Sequence, residues 1–211
     1  MLTAVLLGFV LGIRHATDPD HVAAVAALVA RHRRARVAAS IGAAWGVGHS
    51  LTIVLVGGVL VALRIAVPAP FAIGAELLVA AILIALGVAN LRSLRQGATS
   101  VAPHAAAHGL GNSGLRAFGI GIAHGLGGSA AVALLAVAAM PTPATAVVYL
   151  AVFGAGTVGG MVALSFGLGI PLAAASDTPL LSRWVLGGSG ALSICAGIYL
   201  ALSTGAFTTA L

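Results

Sequence analysis

The sequence predicts an all-α, polytopic membrane protein of about six transmembrane helices arranged as a 3+3 inverted repeat. Three observations lead there. Of 211 residues, 60% are hydrophobic and 7% charged, with a mean hydropathy of +1.14, whereas about a quarter of a soluble domain is charged. The apolar residues gather in runs long enough to cross a bilayer, which takes roughly 20 residues each. The second half of the chain also echoes the first.

The runs extend over Leu2–Ala30, Val37–Leu63, Phe71–Leu91, Leu115–Met140, Ala144–Ala174 and Ser182–Ser203. Little chain remains outside them, so residues 1–211 read as one transmembrane domain, with a first repeat over 1–95, a loop over 96–114 and a second repeat over 115–211. Phe9-Val10-Leu11-Gly12-Ile13-Arg14-His15 aligns with Phe118-Gly119-Ile120-Gly121-Ile122-Ala123-His124, where Phe, Gly, Ile and His coincide. At nearly the same offset Gly46-Val47-Gly48 meets Gly154-Ala155-Gly156, and Ile84-Ala85-Leu86-Gly87 meets Ile194-Cys195-Ala196-Gly197. An odd number of spans per half makes the second half enter the membrane from the other side, the inverted repeat common in secondary transporters. Glycines spaced by four, as at Gly8/Gly12, Gly42/Gly46, Gly121/Gly125 and Gly156/Gly160, let helix backbones approach closely. Bare backbone over Gly154–Gly160 also fits a passage lining or a hinge.

The formal charge of +6 comes from ten Arg and no Lys. Apart from Arg14, these Arg lie between spans or at their ends, so they report topology and not nucleic-acid binding. Arg31, Arg33, Arg34, Arg36, Arg92, Arg95, Arg116 and Arg183 fall at one side and Arg64 at the other, which places both termini outside the cytoplasm of a multi-pass cell-membrane protein. Without Lys there is no P-loop, so the chain consumes no ATP. Cys195 is the single cysteine; it excludes an intrachain disulfide and reads as a buried small hydrophobe. Met1–Val10 lacks the basic region and cleavage site of a removable signal peptide.

The chemistry lies in the first run, where Arg14-His15-Ala16-Thr17-Asp18-Pro19-Asp20-His21 interrupts an apolar segment. Each charge at a span centre costs about 2.5–3.5 kcal/mol, so such a cluster marks a functional site. At 1.5 Å per residue the run is roughly 43 Å long with residue 16 at its midpoint. Pro19 cannot donate to the His15 carbonyl and biases Asp18 away from helical geometry, predicting a break. In a regular helix His15 and His21 would diverge by about 120°, and a break lets them converge. Arg14, four residues before Asp18, reads as an intrahelical ion-pair partner and not as a ligand. His49 and His124 sit near the midpoints of their own runs. The candidate metal-binding set is therefore His15, Asp18, Asp20, His21, His49 and His124, with Arg14, Thr17, Ser50, Ser129 and Thr157 along the path or supporting it. Imidazole and carboxylate without thiolate favour divalent nickel, cobalt or zinc over Cu(I).

The Arg14–His21 segment resembles the HX4DH signature of the nickel/cobalt transporter family. Gly46-Val47-Gly48-His49-Ser50 resembles that family's second-span His motif, and Ile122-Ala123-His124-Gly125-Leu126-Gly127-Gly128-Ser129-Ala130 resembles its short urease-accessory membrane branch. The resemblance implies that His15, Asp20 and His21 are signature ligands or selectivity residues, with His49 and His124 completing the path. It implies secondary transport of Ni2+ or Co2+, with Zn2+ also fitting, through alternating movement of the repeats; the ion is cargo and no resident cofactor is required. Expected partners are the ion, membrane lipid and cytoplasmic nickel chaperones, with no nucleic acid. Rival readings are an intramembrane metal-dependent hydrolase using Asp18 or Asp20 to activate water, a bis-His haem carrier, and a membrane accessory that hands nickel to metalloenzyme maturation factors. His104 and His108 read as solvated loop residues, Glu76 as interfacial, and Asp177 as a cap or loop residue.

Overall fold

The computed structural model describes residues 2–32, 34–63, 65, 67–96, 111–140, 142–175 and 178–205, with backbone alone at 2–5, 111, 128–139 and 175. Regular structure among them is wholly helical: α1 (Leu2–His15), α2 (Pro19–Val29), α3 (Ala35–Thr52), a π-helical stretch (Ile53–Gly57), α4 (Gly58–Leu63), α5 (Ala69–Arg95), α6 (Gly111–Ala139), α7 (Pro143–Ala175) and α8 (Pro179–Ser203). Pro19, Pro70, Pro143 and Pro179 stand in first turns, where a missing N–H costs nothing because those donors have no partner within the helix. Four described segments are long and apolar enough to cross a membrane: Ala35–Leu63, Ala69–Arg95, Pro143–Ala174 and Pro179–Ser203. Large apolar side chains cover the outside, among them Leu7, Val10, Leu55, Trp184, Tyr199 and Leu202. A surface this apolar belongs against acyl chains. The protein is thus an all-helical membrane protein. Cys195, expected to be buried, lies on that exposed outer surface.

The expected first run, Leu2–Ala30, is two helices. The Ala16 amide donates to the Gly12 carbonyl (3.1 Å), after which the chain tightens, with Thr17 N–H on the Arg14 carbonyl (2.9 Å) and Asp18 N–H on the His15 carbonyl (3.0 Å). Asp18 is extended (φ −60°, ψ 146°), the conformation that a following proline imposes. α2 then starts with the Val22 amide on the Asp18 carbonyl (3.0 Å). The expected second run, Val37–Leu63, holds a π-helical stretch one turn beyond His49, a device that recurs beside functional sites. Ser129's side chain, His104, His108 and Asp177, all singled out from the sequence, lie outside the described residues.

α3 is the central element, packed against both α6 and α7, while α1 lies on α7 and α5 on α8. Glycine sets these contacts. A Cβ at Gly12 would overlap the Phe153 carbonyl oxygen, and one at Gly121 the Trp45 carbonyl oxygen. One at Gly156 would overlap the Phe9 carbonyl oxygen, and one at Gly48 the Phe118 carbonyl oxygen. The α5/α8 pair repeats the pattern, with Gly87 against the Gly190 carbonyl and Gly197 against the Ala80 carbonyl. At such crossings even a methyl group forces two backbones apart. Gly121→Ala is expected to destabilise the protein by about 1–3 kcal/mol, whereas Gly119→Ala, whose Cβ meets nothing within 4 Å, should stay within about 0.5 kcal/mol of the parent. Unfolding titrations of the two variants in mixed micelles measure this, and equal effects would contradict the packing account.

Candidate metal centre

The break brings the first two histidines together. His15 ends α1 and His21 lies in the first turn of α2, and across the break their rings stand 4.5 Å apart, centroid to centroid, edge to face. His49 arrives from α3, 4.9 Å from His21 and 5.4 Å from His15. His124 arrives from α6, 4.7 Å from His21. His21 and His124 are 2% exposed and His49 0%. The electronegative C-terminal end of α1 adds a partial charge that favours a cation at this point.

Two carboxylates orient the rings. His15 Nδ1 lies 2.8 Å from Asp18 Oδ2, and His21 Nδ1 lies 3.1 Å from Asp20 Oδ1. An ionised carboxylate only accepts, so each Nδ1 carries the proton and donates it. The Nε2 lone pairs of His15 and His21 are thereby left for another partner, the carboxylate–histidine arrangement that orients metal ligands. His15 Nε2 accepts from His49 Nε2 at 3.2 Å, and that spacing also falls within the roughly 2.9–3.4 Å expected for two nitrogens about 2.05 Å from one ion at octahedral to tetrahedral angles. His21 Nε2, His49 Nδ1 and His124 Nδ1 are buried without a hydrogen-bond partner. Buried nitrogens are normally satisfied, and an ion accepting the His21 Nε2 lone pair would resolve one of these.

Two triads can hold an ion. Single ligand atoms from His15, His21 and His49 all lie within 4.8 Å of one another, and so do those from Asp20, His21 and His124. His21 belongs to both. Asp20 connects them, accepting from His21 Nδ1 at Oδ1 and, at Oδ2, from His124 Nε2 (2.9 Å). Asp18 lies outside both triads with its side chain 48% exposed. Arg14 is exposed and, among the described residues, makes no ion pair with Asp18; His15 takes that carboxylate, because the break carries Asp18 off the helical register that the i, i+4 pairing needs. Thr17, Ser50 and Thr157 hydroxyls donate to the carbonyls of Arg14 (2.6 Å), Gly154 (3.0 Å) and Phe153 (2.9 Å), so they brace backbone around the site.

Two aromatic residues were not picked out by the sequence reading. Trp45 is fully buried, with its ring 5.4 Å from His21 and from His124, and Phe153 lies 5.3 Å from His15. The signal for Trp45 was its position four residues before His49, which puts both on one helix face.

Comparison with known proteins gives this geometry a family. No family model matches the chain, and no solved structure matches it. Urease accessory protein UreH of Bacillus sp. (strain TB-90) is 33% identical over 180 residues, which cover 81% of this chain and 78% of that protein. The chain belongs to the UreH family. Membership agrees with the resemblance of the Ile122–Ala130 segment to the urease-accessory branch of nickel/cobalt transporters. In this UreH-family chain the carboxylate of Asp20 holds two rings, so Asp20→Asn is expected to weaken Ni2+ binding about 10–100-fold. Equilibrium dialysis of the purified protein measures it, and unchanged affinity would contradict the orienting role.

Proposed function

We propose that this chain carries nickel or cobalt ions across the membrane by secondary transport, binding each ion between His15, His21 and His49 near the bilayer midplane. One observation carries the reading: three imidazoles, those of His21 and His49 buried and that of His15 partly buried, converge at a helix break, and His15 and His21 have their tautomers fixed by carboxylates. In this account Asp18 and Asp20 orient the ligands, while Asp20, His21 and His124 form a second station that shares His21 with the first. Arg14, Thr17, Ser50, Ser129 and Thr157 flank the route. The chain acts as a carrier and not as an enzyme, since both carboxylates beside the imidazoles are already committed to them, Asp18 to His15 and Asp20 to His21 and His124. Nickel and cobalt suit a nitrogen-rich set, and zinc remains a competitor of similar ligand preference.

The architecture behind this is a single transmembrane domain of six spans in which residues 1–95 and 115–211 form inverted repeats, with both termini outside the cytoplasm. Supporting it, the glycine contacts come in reciprocal pairs: Gly12 on Phe153 mirrors Gly121 on Trp45, and Gly156 on Phe9 mirrors Gly48 on Phe118. Rocking of one repeat against the other would expose the site to each side in turn. An inside-negative potential favours entry of a divalent cation by about 4.6 kcal/mol per 100 mV, which is enough for uptake without ATP. The relative's name, urease accessory protein, favours delivery of the ion to urease maturation, with cytoplasmic nickel chaperones as recipients.

In proteoliposomes with an imposed inside-negative potential, the wild-type chain is expected to take up Ni2+ and Co2+, and His21→Ala to lose at least about tenfold of that flux. Wild-type protein that binds the ions but moves none would contradict transport. At fixed potential, uptake should fall below about pH 6 as protons compete for imidazole. Flux undiminished at about pH 5 would contradict imidazole ligation.

A further inference from the structure

Just beyond the end of α2, residues from α2, α3, α5 and α6 and from the chain that follows α2 line a cavity of about 140 Å3. Its polar lining is Arg31, His32, Asn90, Ser113 and Arg116. Arg31 is held in place, with Nε donating to Asn90 Oδ1 (3.0 Å) and Nη2 to the Ala89 carbonyl (2.6 Å). Asn90, 3% exposed, is itself pinned, its Nδ2 donating to the Ala27 carbonyl (3.0 Å) and Ser189 Oγ (3.3 Å). A guanidinium has five N–H donors, so about three on Arg31 stay unused by these bonds. Arg116 acts on Arg31 as a second positive charge, and this repulsion, after burial, lowers the Arg31 pKa from its ordinary value. Burial and Arg31 likewise hold the His32 pKa below the usual imidazole range. Among the described residues no carboxylate pairs with either guanidinium.

A guanidinium braced by a buried amide, facing a second one across a polar cavity with no acidic partner, is a receptor lacking its anion. We propose that this cavity binds a phosphate group, from either an anionic phospholipid headgroup or free inorganic phosphate. The fork geometry of Arg suits phosphate oxygens, and basic pockets between helix ends at headgroup depth suit lipid phosphates. Ser113 supplies a hydroxyl donor and His32 a neutral imidazole donor at the same cavity. The assignment stands independently of the transport reading.

The test uses the full chain in phosphatidylcholine nanodiscs, with phosphatidylglycerol added in one arm and inorganic phosphate in the other. Lipid retention is read by native mass spectrometry and the unfolding midpoint by thermal melting. Phosphatidylglycerol is expected to be retained and to raise the midpoint, and Arg116→Gln, at an exposed position, to cut retention roughly five- to tenfold. Arg183→Gln, at a position that does not line the cavity, should leave retention unchanged. A midpoint shift with inorganic phosphate alone, abolished by Arg116→Gln, supports the pocket and assigns it the free ion. No response in either arm, or equal losses in Arg116→Gln and Arg183→Gln, overturns the proposal.

Discussion

Because Pro19 has no backbone N–H, the helical ladder cannot run on through the His15 carbonyl, and the middle of the bundle depends on how the chain stops and restarts. Two tight turns, Thr17 on Arg14 and Asp18 on His15, end the first helix, and an extended Asp18 starts the second. The break does three things together. It turns His15 and His21 toward one point, delivers Asp18 to His15 and Asp20 to His21, and ends α1 with electronegative carbonyls beside the cluster. An unbroken helix would hold the two imidazoles about 120° apart and leave several costly polar groups without mutual partners.

The cluster also needs His49 and His124, and these reach it only because the neighbouring helices touch backbone to backbone. Gly48 lies against the Phe118 carbonyl and Gly121 against the Trp45 carbonyl, so α3 and α6 meet within a turn of these two histidines. Lipid tails offer helices no hydrophobic reward for associating, and packing of this kind replaces it. Trp45 and Phe153 then close the sides of the cluster with apolar surface, keeping water away from imidazoles that are already oriented. A low-dielectric wall strengthens the attraction between the site and a divalent cation.

Much of this was legible in the sequence. Composition announced the membrane, Pro19 announced the break, and the polar residues stood out because each is expensive in an apolar run. Glycine spacing pointed to close helix contacts, although it could not tell which carbonyl each glycine meets, since that depends on tertiary packing. The roles of the two aspartates were not legible either. Asp18 and Asp20 are chemically alike and two residues apart, and only the extended backbone at Asp18 decides that one reaches out to His15 while the other bridges His21 and His124. Arg14 was misread because its i, i+4 pairing with Asp18 assumes the regular helix that Pro19 destroys. Cys195 was misread because hydrophobic residues of a membrane protein face lipid as readily as they face the core.

The central claim is that imidazole nitrogens oriented by carboxylates bind the ion. X-ray absorption spectroscopy of the nickel-loaded protein tests it most directly, because scattering from the second and third shells of an imidazole ring identifies that ligand. The account predicts a nitrogen and oxygen first shell with three imidazole ligands, falling to two in His49→Ala. A first shell free of imidazole scattering, or one unchanged in His49→Ala, would contradict it.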